Sequence, residues 1–116
     1  MLELDEDDVD KLPQPANFQT NFMTRNDEHI RQILQRIPEK PGVYQYLNEA
    51  GEVIYVGKAK NLHRRVSSYF HKEQDRFKTK QLVKNIADIR YVVVDSEQDA
   101  FLLENNLIKK YLPHYN

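Results

Sequence analysis

Two short runs, Val43–Leu47 and Val53–Gly57, alternate their side chains with the period of a strand, and only Asn48-Glu49-Ala50-Gly51 separates them. Those four residues favour a turn, so the middle of the chain is committed to a β-hairpin. A four-residue loop sets Tyr44 opposite Tyr55 and Tyr46 opposite Val53. Successive side chains leave a strand on opposite sides, so Tyr44, Tyr46, Val53 and Tyr55 are expected on one face. Opposed Cβ atoms lie roughly 4.5–5.5 Å apart, which makes neighbours of the two phenols. Gly42 and Gly57 flank the tyrosines at opposite ends of the pair. Each leaves room for a close approach to the backbone or relieves a turn.

Helical patterns surround the hairpin. Asn26 is placed to cap a helix that buries Ile30, Ile33, Leu34 and Ile37, and Pro38 and Pro41 end it. Asn61 caps a second helix running to about Phe70, with Leu62, Val66 and Tyr69 or Phe70 inward. His71–Lys78 reads as a charged loop, followed by a helix over Thr79–Asp88 that buries Leu82, Val83 and Ile86. Ile89–Val94 is β-branched enough for a third strand. Asp95 or Ser96 caps a final helix, Ser96 with Asp99 resembling a capping box, and its apolar face runs through Ala100, Leu103, Leu107 and Tyr111, with Phe101 and Ile108 alongside. Pro113 stops it. The order α-β-β-α-α-β-α predicts an α+β domain, a small antiparallel three-stranded sheet flanked by helices.

Composition narrows the classes further. At 116 residues there is room for one domain with its own core. Residues 1–25 carry an acidic run and two prolines without periodicity, and read as a flexible acidic extension or remnant ahead of a domain at 26–116. The absence of cysteine excludes a disulfide framework and a thiolate metal site. No apolar run approaches the roughly 18 residues that span a bilayer, so a soluble, cytoplasmic protein without membrane partners is expected. The net charge of -1 conceals an asymmetry. Residues 1–30 hold eight acids and two bases, whereas 31–116 hold fifteen bases and ten acids. Nine of the bases fall between Lys58 and Lys84, a density that suits either a polyanion partner or a solvated pair of helices.

Two charges border the inward faces. Arg65 lies within one turn of Leu62 and Tyr69, and Glu104 lies among Ala100, Leu103, Leu107 and Ile108. A carboxylate facing a core is costly unless it is paired, hydrogen-bonded or bound to metal, and all three remain open for Glu104. His29, His63, His71 and His114 form no metal-binding pair at helical spacing and read as surface or helix-end residues. Asp95, Glu97 and Asp99 suit the dipole at the start of the last helix and carry no catalytic assignment.

Gly42-Val43-Tyr44 and Tyr55-Val56-Gly57 resemble the two elements that name the GIY-YIG nucleases. The joined stretch Tyr55-Val56-Gly57-Lys58-Ala59-Lys60-Asn61-Leu62, with Arg65-Val66-Ser67-Ser68-Tyr69-Phe70 and the closing Pro113-His114-Tyr115-Asn116, resembles the UvrC-type N-terminal domains of that family. The likeness spans residues 29–116. Valine replaces isoleucine in both short elements, a swap that keeps a β-branched residue turned away from the tyrosines. The resemblance implies a DNA endonuclease that incises on the 3′ side of a lesion in nucleotide excision repair, within the SOS response and together with UvrB. It implies Tyr55 as the catalytic tyrosine, Tyr44 and Tyr69 as further active-site tyrosines, and Lys58 and Arg65 as basic active-site residues. It also implies Asn116 as a polar residue lining the site and Glu104 as the one carboxylate holding a single Mg²⁺ or Mn²⁺.

Such a site needs an activated water, an in-line leaving oxygen and compensation for phosphate charge. Tyr55 is expected to take the proton of the attacking water, with Lys58, Arg65 and the metal favouring its phenolate. The metal is expected on the leaving-group side, stabilising the departing 3′ oxygen. Arg65 suits a non-bridging phosphate oxygen. Double-stranded DNA is the expected partner, contacted by Lys58, Lys60, Arg64, Arg65, Lys80 and Lys84. A stand-alone, structure-specific GIY-YIG endonuclease and a non-catalytic DNA-binding module are the alternatives.

Overall fold

The computed structural model describes residues 25–71 and 75–116. The expected extension therefore lies outside the described residues except for Arg25, which opens the first helix. Along the chain run α1 (Arg25–Arg36), β1 (Gly42–Leu47), β2 (Val53–Ala59), α2 (Leu62–His71), α3 (Phe77–Asn85), β3 (Asp88–Val93) and α4 (Glu97–Tyr111). The strands form one antiparallel sheet in the order β2-β1-β3, the α+β architecture expected. Asn26 falls inside the first turn of α1 rather than at its cap. The third helix starts two residues earlier than expected and ends at Asn85, and β3 begins one residue earlier.

The hairpin corrects the expected register. Tyr46 pairs with Tyr55 and Tyr44 with Gly57, while Leu47 pairs with Val53. Two one-residue changes add together. The loop closes over five residues because Glu52 N–H donates to Asn48 Oδ1 at 2.9 Å and Asn48 N–H donates to the Glu52 carbonyl at 3.0 Å. A bulge then leaves Ile54 without a partner strand residue. A slip of one residue would turn the tyrosines to the other face, whereas the combined slip of two keeps Tyr44, Tyr46 and Tyr55 together and changes only who faces whom. Val53 lies before the bulge and packs on the opposite side, against Val43, Val56 and Ala100.

Two layers of apolar packing result. The tyrosine face joins Ile30, Ile33, Leu34 and Ile37 of α1, Leu62, Val66 and Tyr69 of α2, Leu82 of α3, and Ile86 and Ile89 into the main core. Beneath the other face, α4 covers β1 and β2 through Ala100, with Leu103, Leu107 and Ile108 alongside. Phe101 and Tyr111, expected on that apolar face, are exposed. Ser96 caps α4 by accepting from the Asp99 N–H at 3.1 Å, and Leu112 closes it in a left-handed conformation.

Candidate active site

Four phenols meet on the main-core face of the hairpin. Tyr44 and Tyr46 come from β1, Tyr55 from β2 and Tyr69 from α2, all buried. Ring centroids lie 6.2 Å apart for Tyr44–Tyr55, 6.0 Å for Tyr44–Tyr69 and 6.1 Å for Tyr46–Tyr55. The Tyr44 and Tyr69 hydroxyls are hydrogen-bonded at 3.0 Å. Tyr46 sits between the others, 5.1 Å from the Tyr69 ring and 5.2 Å from Tyr44. Strand alternation marks it only as a member of the face; its full burial at the centre of the cluster follows from its pairing with Tyr55.

α2 brings in Arg65. Its start is held firmly, since Asn61 Oδ1 accepts from the Arg64 N–H at 3.1 Å and the Lys40 carbonyl accepts from the Leu62 N–H at 2.9 Å. The Arg65 side chain is buried and near enough to the Tyr44 phenol to act against the rise of its pKa, yet its Nη1 has no partner. Glu104 arrives from α4, half-buried, with its charge acting on both Tyr44 and Tyr55. A guanidinium and a carboxylate from different layers thus bear on the same two phenols.

Burial raises the Tyr55 pKa above its ordinary value, with Tyr44 and Glu104 adding to the rise; the Tyr69 hydrogen bond and Arg65 oppose it. Tyr44, Tyr46 and Tyr69 are raised as well, burial again leading. The expected depression of Tyr55 counted on a metal ion as well; the protein's own groups raise it instead. Arg65 does act to lower it, but desolvation outweighs that pull. At neutral pH the protein alone holds Tyr55 as a neutral phenol.

The remaining expected residues are spread around this cluster. Lys58 pairs with Val43, so it leaves β2 on the face opposite Tyr55, exposed. Lys60 lies 3.9 Å from Glu97 and Arg64 3.9 Å from Glu39, both on the surface. Lys80 and Lys84 are exposed on α3. Asn116 grips the free edge of β2: its Nδ2 donates to the Val56 carbonyl at 2.9 Å and its Oδ1 accepts from the Val56 N–H at 2.8 Å. The Tyr115 N–H adds a bond to the Ile54 carbonyl at 3.0 Å, so the closing segment is tied to the β2 edge at two residues. Among the described residues, no three or more His, Asp or Glu side chains gather as a metal site. His29 contacts Asp88, His63 contacts the Ile37 carbonyl, and His114 packs edge-on against Tyr115.

The glycines of the two short motifs have steric duties. A Cβ at Gly57 would stand 2.4 Å from the Tyr44 Cζ and hydroxyl, and one at Gly42 would meet the Val92 carbonyl at 2.3 Å. Tyr44 reaches Arg65 and Tyr69 through the space that Gly57 leaves empty. Glycine-flanked tyrosines interlocked in this way place the fold in the GIY-YIG class. The family model for the UvrC-like GIY-YIG domain matches residues 40–116, and the chain belongs to that family. It is 63% identical over 97 residues to UvrABC system protein C of Bacteroides fragilis, covering 84% of this chain and 16% of that protein. It is 64% identical over 95 residues to the Porphyromonas gingivalis counterpart, covering 82% and 16%. The GIY-YIG N-terminal endonuclease domain of UvrC from Thermotoga maritima, solved bound to its catalytic divalent cation, magnesium, superposes with a TM-score of 0.68 at 40% identity, covering 81% of this chain and 99% of that one. The chain thus spans about a sixth of the length of the curated relatives it matches.

Proposed function

We propose that this domain hydrolyses a phosphodiester bond of double-stranded DNA with one Mg²⁺ or Mn²⁺, making the 3′-side incision of nucleotide excision repair in a UvrB-containing, cytoplasmic assembly. One observation carries the reading: Tyr44, Tyr55, Tyr69 and the buried Arg65 converge on one face of the hairpin, with the Tyr44 ring seated against Gly57 and its hydroxyl bonded to that of Tyr69. A buried guanidinium with spare donors is costly unless an anion satisfies it, and a phosphate oxygen fits its planar fork.

Glu104 suits a hard cation that retains most of its water, since a lone carboxylate cannot build a full protein cage. When bound there, the ion supplies charge compensation for the departing 3′ oxygen and offsets the carboxylate's upward push on Tyr55. Arg65 holds a non-bridging oxygen through its guanidinium. Tyr44 and Tyr69, joined by their hydroxyls, fix the position of Arg65 and of the phosphate. Tyr55, in its phenolate form, takes one proton of the attacking water as the water oxygen bonds to phosphorus and the bond to the 3′ oxygen breaks; the 3′ oxygen takes its proton from a solvent water, leaving a 5′-phosphate and a 3′-hydroxyl. Asn116 keeps β2 straight beside Tyr55.

In a nicking assay with Mg²⁺ or Mn²⁺, Tyr55→Phe abolishes strand scission while fold and DNA affinity persist. Scission by that variant at the parental rate removes the phenol from proton transfer. Mn²⁺ binding read by electron paramagnetic resonance should be lost in Glu104→Gln; unaltered binding places the ion elsewhere.

A further inference from the structure

On α3, one face turns inward through Thr79 and Leu82, with Ile86 beyond the helix end. The opposite face has an unusual composition for solvent. Phe77 is 76% exposed at the first position of the helix. Lys80 and Lys84 follow three and seven residues later, which puts them on the same side, and both are exposed. Arg76 and Lys78 flank the ring, also exposed, and α3 contains no acidic residue.

A large apolar ring costs free energy in water, and most such rings find cover. A protein partner would cover it with further apolar surface, but the positions beside Phe77 are charged. An aromatic face set among cations instead matches a nucleobase and the phosphates on either side of it. The helix that carries this surface is itself seated on the tyrosine core. Leu82 and Ile86 belong to the core that contains Tyr44, Tyr55 and Tyr69. Asn85 at the end of α3 donates to the Tyr115 hydroxyl at 3.2 Å, and Tyr115 is bonded to β2 next to Tyr55.

We infer that Phe77 is a base-stacking contact, and that the α3 face receives a DNA strand whose base is unstacked or unpaired, with Lys80 and Lys84 on its phosphates. This rests on the DNA-substrate reading and adds to it a means of telling distorted DNA from regular duplex. A paired, stacked base offers the ring no face, whereas an extrahelical base does.

The test uses the 116-residue chain in EDTA, so that cleavage plays no part. Fluorescence anisotropy compares a fully paired duplex with the same duplex carrying one unpaired base. Phe77→Ala should weaken binding of the bulged duplex about 5- to 100-fold and alter the paired duplex less than about twofold. Phe77→Trp should restore discrimination. Because the chain has no tryptophan of its own, the indole emission of that variant reports on this position alone, and only the bulged duplex should quench it. Lys80→Ala with Lys84→Ala should weaken both duplexes equally and flatten the salt dependence. Equal losses on both duplexes for Phe77→Ala, or indole emission from Phe77→Trp that stays unquenched on a bound bulge, would overturn the stacking role and leave the DNA substrate standing. Failure of the parent chain to bind either duplex overturns both. Thermal unfolding of each variant at the parental midpoint keeps the comparison clean, as expected for exposed positions.

Discussion

Replacing Gly57 by alanine sets one methyl group against the ring that organises the site. Gly57 has no positive φ, so the backbone tolerates alanine and the effect is purely steric. The new Cβ would stand 2.4 Å from the Tyr44 hydroxyl and 2.4 Å from its Cζ, closer than real Cβ contacts ever come. Tyr44 cannot swing away cheaply: it is 1% exposed, hydrogen-bonded to Tyr69, and packed against Tyr46. Overpacking a filled core costs about 1–3 kcal/mol, and the immobility of the ring puts this case at the upper end, about 2–3 kcal/mol. For a domain of this size that lowers Tm by roughly 8–15 °C. Calorimetry on parent and variant reads the shift, and a nicking assay reads the accompanying loss as Tyr44 drags Arg65 from its place. A cycle with Tyr44→Leu isolates the cause, because the alanine should cost far less where no ring occupies the space. If Gly57→Ala melts and cuts like the parent, or costs as much with leucine in place of Tyr44, the interlocked pair is not what the glycine serves.

Three other outcomes are expected. Four phenols have folded-state pKa values raised above 10.0, so stability is whole below that value and falls as pH rises beyond it, when the unfolded chain ionises first. Urea midpoints should fall between about pH 9 and 11, and midpoints that stay level would contradict this. Tyr46→Phe removes a buried hydroxyl without a partner and keeps the ring, so Tm should hold or rise; a marked drop would mean the hydroxyl is satisfied in solution. Asn116→Ala opens two hydrogen bonds at the β2 edge and should cost about 1–2 kcal/mol with reduced cutting, to be checked by amide exchange at Val56.

The element order, the tyrosine face and the inward lean of Arg65 and Glu104 were legible in the sequence, because each follows from a period of two or of 3.6. The hairpin register was not. Asn48 reaching Glu52 lengthens the loop by one residue, and a bulge at Ile54 carries no glycine to announce it. Parity survives only because the two changes cancel for side-chain direction. Lys58 is tied to the site by resemblance, while strand alternation alone puts it on the other face. The upward shift of Tyr55 needs three dimensions, since neighbouring cations in sequence do not reveal how much water the fold removes. Asn116 ends the chain in no regular element, so its grip on Val56 has no period to betray it.

The two layers of the sheet are unequal anchors. Tyr44, Tyr55, Tyr69 and Arg65 are locked into a broad core, whereas the seam under α4, which carries Glu104, holds only three buried side chains among the described residues: Val43 and Val56 of the sheet and Ala100 of the helix. Trimming that thin seam would retune the distance between carboxylate and phenols while leaving the aromatic cluster undisturbed, as a vice is adjusted through its movable jaw.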